Sequence, residues 1–320
     1  MESDVWYETF TEILYKKFPK KTQLIQALMD LLSLEREAVY RRLRKEVIFS
    51  AFEIIKIASA WNISFDEIIN VNSGQVAFQM YPVNYLDPSP NELIFLRGVI
   101  RTIYYLQNLP DTETMHICNK FPRDLVSGFP YLNLFYLFKW VYEYSNEKEI
   151  FPLSKIMLSK DKIELEKDYY NAVKVIPNVN MIFDCNIFSY FIDDVLYFCS
   201  IQLITDNEKE LIKRDLLALL DYLLEVANKG CYPETENKVN LYISQLNIDT
   251  NYSYIWSPEI NACFVHAFEK YEIHSFNSEM TTNFKSWMNL KKRTSVQISE
   301  VDERSRIEFF TKQRQLVENF

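Results

Sequence analysis

The chain has 320 residues, a formal net charge of −9, and 48% hydrophobic and 15% aromatic side chains. That length suits two domains, and that apolar content excludes a disordered chain. No run reaches the roughly 20 uncharged apolar residues that a bilayer span requires, and the acidic start MESDVWYETF lacks the basic-then-apolar order of a secretion signal, so no membrane partner is expected and the expected location is the cytoplasm.

Taken in chain order, Val5, Trp6, Phe10, Ile13, Leu14 and Phe18 recur at helical spacing up to Pro19, which predicts a helix over 2–18. Leu24, Ala27, Leu28, Leu31 and Leu32 predict a second helix over 21–32. Ser33 and Leu34 interrupt the pattern, and a third, short helix is expected over 35–44. A fourth runs from Phe49 to Trp61. A fifth is expected to begin at Ser64, capped with Glu67, and to finish at Ile68 and Ile69. Five short helices need a shared core, so residues 1–73 are expected to form one domain. Asn, Ser, Gly and three prolines between Asn70 and Pro90 predict a linker, set at 74–90.

The remainder, 91–320, is expected to be a dimerisation or sensor domain. Helices are predicted at about 90–108, 130–145, 160–174, 186–203 and 207–229, with a strand from Met115 to Phe121. Short runs rich in Tyr, Ile, Val and Phe then predict strands at Val239 to Ile248, Tyr252 to Trp256, Ile260 to Phe268 and Tyr271 to His274. Helices at 277–292 and 303–318 flank this antiparallel meander. The predicted fold class is α+β: a five-helix N-terminal domain, a mostly helical region, and a C-terminal antiparallel sheet flanked by helices.

Composition removes several functions. Five cysteines (Cys118, Cys185, Cys199, Cys231 and Cys263) form an odd, scattered set with no Cys-x-x-Cys pair, against a disulfide framework or a zinc ribbon. Four glycines, none close to another, cannot build a phosphate-cradling loop. Cys263 and His266 are three apart in a predicted strand and point to opposite faces, a poor start for a metal site. His274 reads as a surface or strand-end histidine. Adjacent Asp193 and Asp194 cannot converge as acid and base and read as solvated or capping charges. Ser127 precedes Gly128 without a nucleophile elbow, and the aromatics from Phe129 to Tyr142 read as core. No cofactor and no enzymatic activity are expected.

The acidic balance argues against nucleic acid, but the charge is unevenly placed. Between Lys17 and Lys45 eight bases face three acids, a local charge of +5 that leaves −14 for the rest. A basic face on an acidic protein still attracts DNA. Leu28, Leu32, Leu34, Val39 and Leu43 can meet in one core across the 21–32 and 35–44 helices, so that the second projects its far side. That side carries Glu37, Tyr40, Arg41 and Arg44, the candidate base readers: arginine forks for guanine, Tyr40 for a thymine methyl or a phosphate, Glu37 for cytosine. Lys21, Thr22, Arg36 and Lys45 are placed to hold phosphates.

The string AVYRRLR, followed by a helix and NISFDEI, resembles the lambda-repressor-like, Xre-type helix-turn-helix family of bacterial regulators over residues 21–69. The resemblance implies a five-helix DNA-binding domain with 35–44 as recognition helix. Ser33 stands where the family turn often has glycine, acceptable if its φ stays negative, and Lys45 replaces the glycine common just after the recognition helix. The run TSVQISEVDERSRIEFFTKQ resembles the tail of uncharacterised bacterial regulators, and the layout of the larger domain is similar to GAF and PAS sensor domains. The expected function is a sequence-specific transcriptional regulator binding double-stranded DNA as a homodimer, with a small-molecule effector as a further partner. The rival readings are a helix-turn-helix module for protein interaction or assembly without DNA binding, and a ligand-sensing body with a vestigial DNA-binding domain.

Overall fold

The computed structural model describes residues 5–18, 20–61, 63, 65, 68, 76–84, 86–144, 151–267 and 271–320. The chain is α+β and divides into two compact units, Met1–Ala77 and Phe78–Phe320.

The first unit contains α1 (Val5–Lys17), α2 (Lys21–Leu32), α3 (Arg36–Leu43) and α4 (Ala51–Trp61). None is long enough to persist alone, and each contributes one apolar stripe to a common core. Phe10, Leu14, Leu24, Leu28, Val39 and Ile57 are fully buried there, joined by Leu43, Phe49, Ile63 and Ile68. Leu32 and Leu34 pack against the same core at partial exposure. The interruptions at Pro19 and Asn62, the fifth helix's Ser64, Glu67 and Ile69, residues 70–73, and residues 74, 75 and 85 of the linker lie outside the described residues.

The second unit is built on one eight-stranded mixed sheet. Its elements are β1 (Gln79–Met80), α5 (Pro90–Leu106), β2 (Glu113–Cys118), α6 (Arg123–Val126), α7 (Pro130–Tyr144), α8 (Lys160–Val173), β3 (Asn178–Asp184), α9 (Ile187–Ser200), α10 (Asp206–Lys229), β4 (Lys238–Ser244), β5 (Tyr252–Trp256), β6 (Asn261–Ala267), β7 (Tyr271–Ser275), α11 (Ser278–Lys291), β8 (Ser295–Gln297) and α12 (Glu303–Glu318). The order across the sheet is β1-β7-β6-β5-β2-β3-β4-β8. The expected antiparallel meander is present as β5-β6-β7, apart from its residue Phe268, which lies outside the described residues.

The meander does not extend to β4, which corrects the expectation of a wholly antiparallel sheet. β4 runs parallel to β3, and β3 parallel to β2, with Thr114 opposite Val179 and Val179 opposite Val239. The physical reason is the length of the connections. Each of these strands is reached through helices, and a chain returning through helices re-enters the sheet in the same direction. β3 itself was not anticipated.

The residues read as the later part of the linker also belong to this unit. Gln79 and Met80 pair with His274 and Ile273 as an edge strand, and Val83 is buried in the core. Pro82 follows the paired residues, where its missing N–H costs no ladder bond. His274, expected at the surface or at a strand end, lies next to the end of β7 but is buried there, with its ring stacked 5.2 Å from that of Tyr81, and burial lowers its pKa.

Strand alternation sends two apolar sets to opposite faces. Val179, Met181, Phe183, Val239, Leu241 and Ile243 pack beneath α7, α9, α10 and α12 through side chains such as Phe135, Phe188, Leu216 and Phe309. Met115, Ile117, Ile182, Tyr254 and Cys263 face the other way, against Phe284 and Met288 of α11. Thr205 and Glu208 close a capping box at the start of α10, and Gly230, at φ 67°, ends it in the left-handed conformation that glycine adopts without steric penalty. No helix among the described residues is long and apolar enough to cross a membrane.

A buried ionic cluster ties α6 to α8. Glu166 accepts from Arg123 Nε and Nη2 at 3.2 and 3.1 Å, from Lys162 Nζ, and from Ser127 Oγ at 3.1 Å. Burial alone would raise the Glu166 pKa, but the charges of Arg123 and Lys162 outweigh it and hold the carboxyl well below its usual range. Replacing Glu166 with glutamine leaves two cations facing each other in the interior, and the second unit is expected to lose about 3–5 kcal/mol of stability by urea unfolding.

Candidate nucleic-acid interface

α2 and α3 are joined by only three residues, Ser33 to Glu35. Ser33 adopts φ 54°, so the condition under which serine is easily accepted there is not met, and its N–H and that of Leu34 both reach Met29 O. The reversal is an αL cap in which Leu34 turns back onto the core, and it gives the Met29 carbonyl in the last turn of α2 two donors. α3 ends in the same manner. Lys45 has φ 64°, its N–H bonds Arg42 O at 3.0 Å, and Glu46 N–H bonds Arg41 O at 2.9 Å. Ser33 and Lys45 thus both hold a positive φ, the region that glycine occupies most easily, and accept that strain.

With Val39 and Leu43 sealed in the core, α3 turns its other side outward. Arg36, Glu37, Arg41 and Arg44 are exposed, as are Lys21, Thr22 and Lys45, and Tyr40 is half-buried. The Tyr40 ring gathers three cations of this set: Lys21 Nζ at 5.9 Å, the Arg36 guanidinium at 5.8 Å and that of Arg44 at 5.3 Å. Two expected phosphate holders and one expected base reader thus share a surface with Tyr40. Thr22, in the first turn of α2, lies next to Lys21 at a helix end carrying partial positive charge.

Three residues are less available than expected. Arg41 Nε and Arg44 Nη1 lie 3.6 and 3.8 Å from the two carboxylate oxygens of Glu46. Lys45 Nζ is bound to Glu8 of α1 at 2.5 Å. These exposed pairs are weak, typically below about 1 kcal/mol, and a stronger anion can displace them.

Sequence reasoning did not single out Arg42, Glu53 and Tyr7, which hold the interface in place. Arg42 Nη2 and Nε donate to Glu53 at 2.8 and 3.1 Å, a fork-to-carboxylate pair with both side chains largely covered. Glu53 also accepts from Ser50 N–H at 2.8 Å and completes a capping box at the start of α4, a signal readable as S-A-F-E. Tyr7 Oη donates to Arg42 O at 3.0 Å and accepts from Phe49 N–H at 3.1 Å. No protein-family model and no curated protein matches the chain.

Replacing Ser33 with glycine is expected to stabilise the first unit by about 1 kcal/mol in thermal unfolding, because glycine occupies the left-handed region without the Cβ clash. Tyr7→Phe is expected to cost about 1–3 kcal/mol, since Phe49 N–H stays buried without its acceptor. Burial pushes the Glu53 pKa up, but bonds from Arg42 and Ser50 lower it overall. Its contribution is therefore full above the unfolded-state value of about 4.3 and fades as pH falls toward the lower folded value. The stability of the wild type to urea should fall on that acid side, and Glu53→Gln should flatten the dependence.

Proposed function

We propose that the chain is a sequence-specific DNA-binding transcriptional regulator of the lambda-repressor-like kind, acting in the cytoplasm as a homodimer. The observation that carries the reading is the basic surface gathered around Tyr40, on a helix whose opposite side is locked into a core. A charge pattern of this type meets the phosphate backbone through Lys21, Thr22, Arg36 and Lys45, which positions the helix. Arg41 and Arg44 then exchange the Glu46 carboxylate for guanine O6 and N7, with Glu37 and Tyr40 reading neighbouring base edges. One helix of this length reads few base pairs. Two copies on half-sites about 34 Å apart give an operator of useful length. The acidic remainder of the chain opposes indiscriminate binding, so specificity gains at the expense of bulk affinity.

A second reading, a docking module without DNA binding, is favoured by three large apolar side chains in the first unit. Phe52 is 73% exposed, and Ile55, one turn further along α4, and Ile48 are each 56% exposed.

Selection from random-sequence duplexes with the purified chain separates the two. The regulator reading expects an enriched, dyad-symmetric site whose affinity falls steeply with salt. The docking reading expects no enrichment and salt-insensitive self-association. On the selected site, Arg41→Ala or Arg44→Ala is expected to cost about 1–3 kcal/mol and relax choice at one position, whereas Lys21→Ala weakens all sequences alike and lowers the salt slope by about one. Glu46→Gln removes the internal competitor and strengthens binding by up to about fivefold. Val39→Ala is the control, losing stability through packing. Unchanged affinity in the Arg41, Arg44 double alanine variant would end the assignment of α3 as the reading helix.

A further inference from the structure

The three parallel strands β2, β3 and β4 end side by side, and the segments that follow them border a shallow, open cleft of about 480 Å³ in the second unit. Asn119 follows β2, Tyr190 lies on α9 after β3, and Asn247 follows β4. Carboxyl ends of parallel strands are where open α/β sheets place ligands, because the following segments diverge there and leave a crevice. The volume is within the range of small-molecule sites.

Buried polar groups are committed to holding these walls. Asp184, fully buried at the end of β3, accepts from the N–H groups of Asn186 and Ile248 at 2.8 and 2.9 Å. The Asn251 side chain accepts from the N–H groups of Asn119 and Lys120 at 2.9 and 3.0 Å and donates to Lys120 O at 2.9 Å. Tyr136, another lining residue, accepts from Phe121 N–H at 3.1 Å. A buried carboxylate used to pin loop backbone is expensive unless fully hydrogen-bonded, and here it fixes two of the three walls in advance of any ligand.

The lining chemistry narrows the ligand. Lys120 and Lys139 are balanced by Asp193 and Asp194, and Lys139 is bound to Asp194 at 2.6 Å, so the cleft has no net formal charge to select an ion. The exposed Asn247 carboxamide and Tyr190 phenol supply donors and acceptors together beside the flat rings of Tyr136 and Tyr190, while the Asn119 amide donates to Asp249 O at 3.0 Å and Tyr136 Oη holds Phe121 N–H. A polyhydroxylated ligand with apolar C–H faces matches both features. We propose that this cleft binds a neutral saccharide of one or two sugar units.

The inference does not depend on the first unit binding DNA and stands or falls separately. The test is calorimetric titration and thermal shift of the full chain with glucose, galactose, xylose, maltose and cellobiose, each at about 10 mM, beside glucose 6-phosphate and the free amino acids. At least one neutral saccharide is expected to bind and raise the melting temperature. Tyr190→Ala and Asn247→Leu, both at exposed positions, are expected to weaken that binding about tenfold while leaving ligand-free melting essentially unchanged. Absence of binding by every neutral sugar, binding only by the phosphorylated sugar or an amino acid, or saccharide affinity untouched by both variants would each overturn the proposal.

Discussion

One phenol oxygen governs how α3 is presented. Tyr7 Oη sits between the last turn of α3 and the start of α4, donating to the Arg42 carbonyl and accepting from Phe49 N–H. A hydroxyl both donates and accepts, so it serves both groups from one point, and the Phe49 N–H it receives is buried. Arg42 itself grips Glu53 from the other side, so the end of α3 is clamped by its backbone and by its side chain. The outward set that begins with Arg36 therefore sits on a rigid rod, and a contact surface on a rigid element loses less entropy when it engages a partner.

The first unit was the more legible of the two because its helices carry a clean 3.6-residue period. The predicted 21–32 helix coincides with α2, and 35–44 differs from α3 only by Glu35 and Arg44, the residues flanking it. The outward side of α3 was equally visible, since Val39 and Leu43 define the inward one. What could not be read was which charges are committed. Arg42 and Arg41 are neighbours of the same type, yet one is pinned on Glu53 and the other exposed, and that distinction depends on α4 being in place. The sign of φ at Ser33 is open in the sequence for a related reason: backbone conformation at a turn follows from where the next helix must pack, which a residue type only biases.

The second unit was legible at its margins and opaque at its centre. β5, β6 and β7 alternate and were recognised, whereas β3 was passed over. Its sequence NVNMIFD opens with asparagines after Pro177, which is turn chemistry. In the sheet those amides are paired across strands: Asn240 Nδ2 donates to Asn180 Oδ1 at 3.3 Å, and Lys292 Nζ donates to the same oxygen at 3.0 Å. An asparagine disfavoured in an isolated strand is accommodated when its neighbours satisfy it, and such neighbours lie 60 and 112 residues away in sequence. With β3 missing from the reading, the parallel centre was invisible, and so was the cleft at its end.

The same strand order dictates a sequence of events during synthesis. α1 to α4 complete their contacts within Met1–Ala77, a span much shorter than the sheet requires, and can fold once that stretch has emerged. The sheet has no such shortcut. β1, its first strand, pairs only with β7, so Gln79 waits for His274, and β4 lacks its outer neighbour until Gln297 has been made. For most of translation the ribosome therefore carries a folded helical head followed by unpaired strand edges. Such edges are templates for wrong partners, and the yield of native protein should be set by how long they remain open, more than by the final stability of either unit.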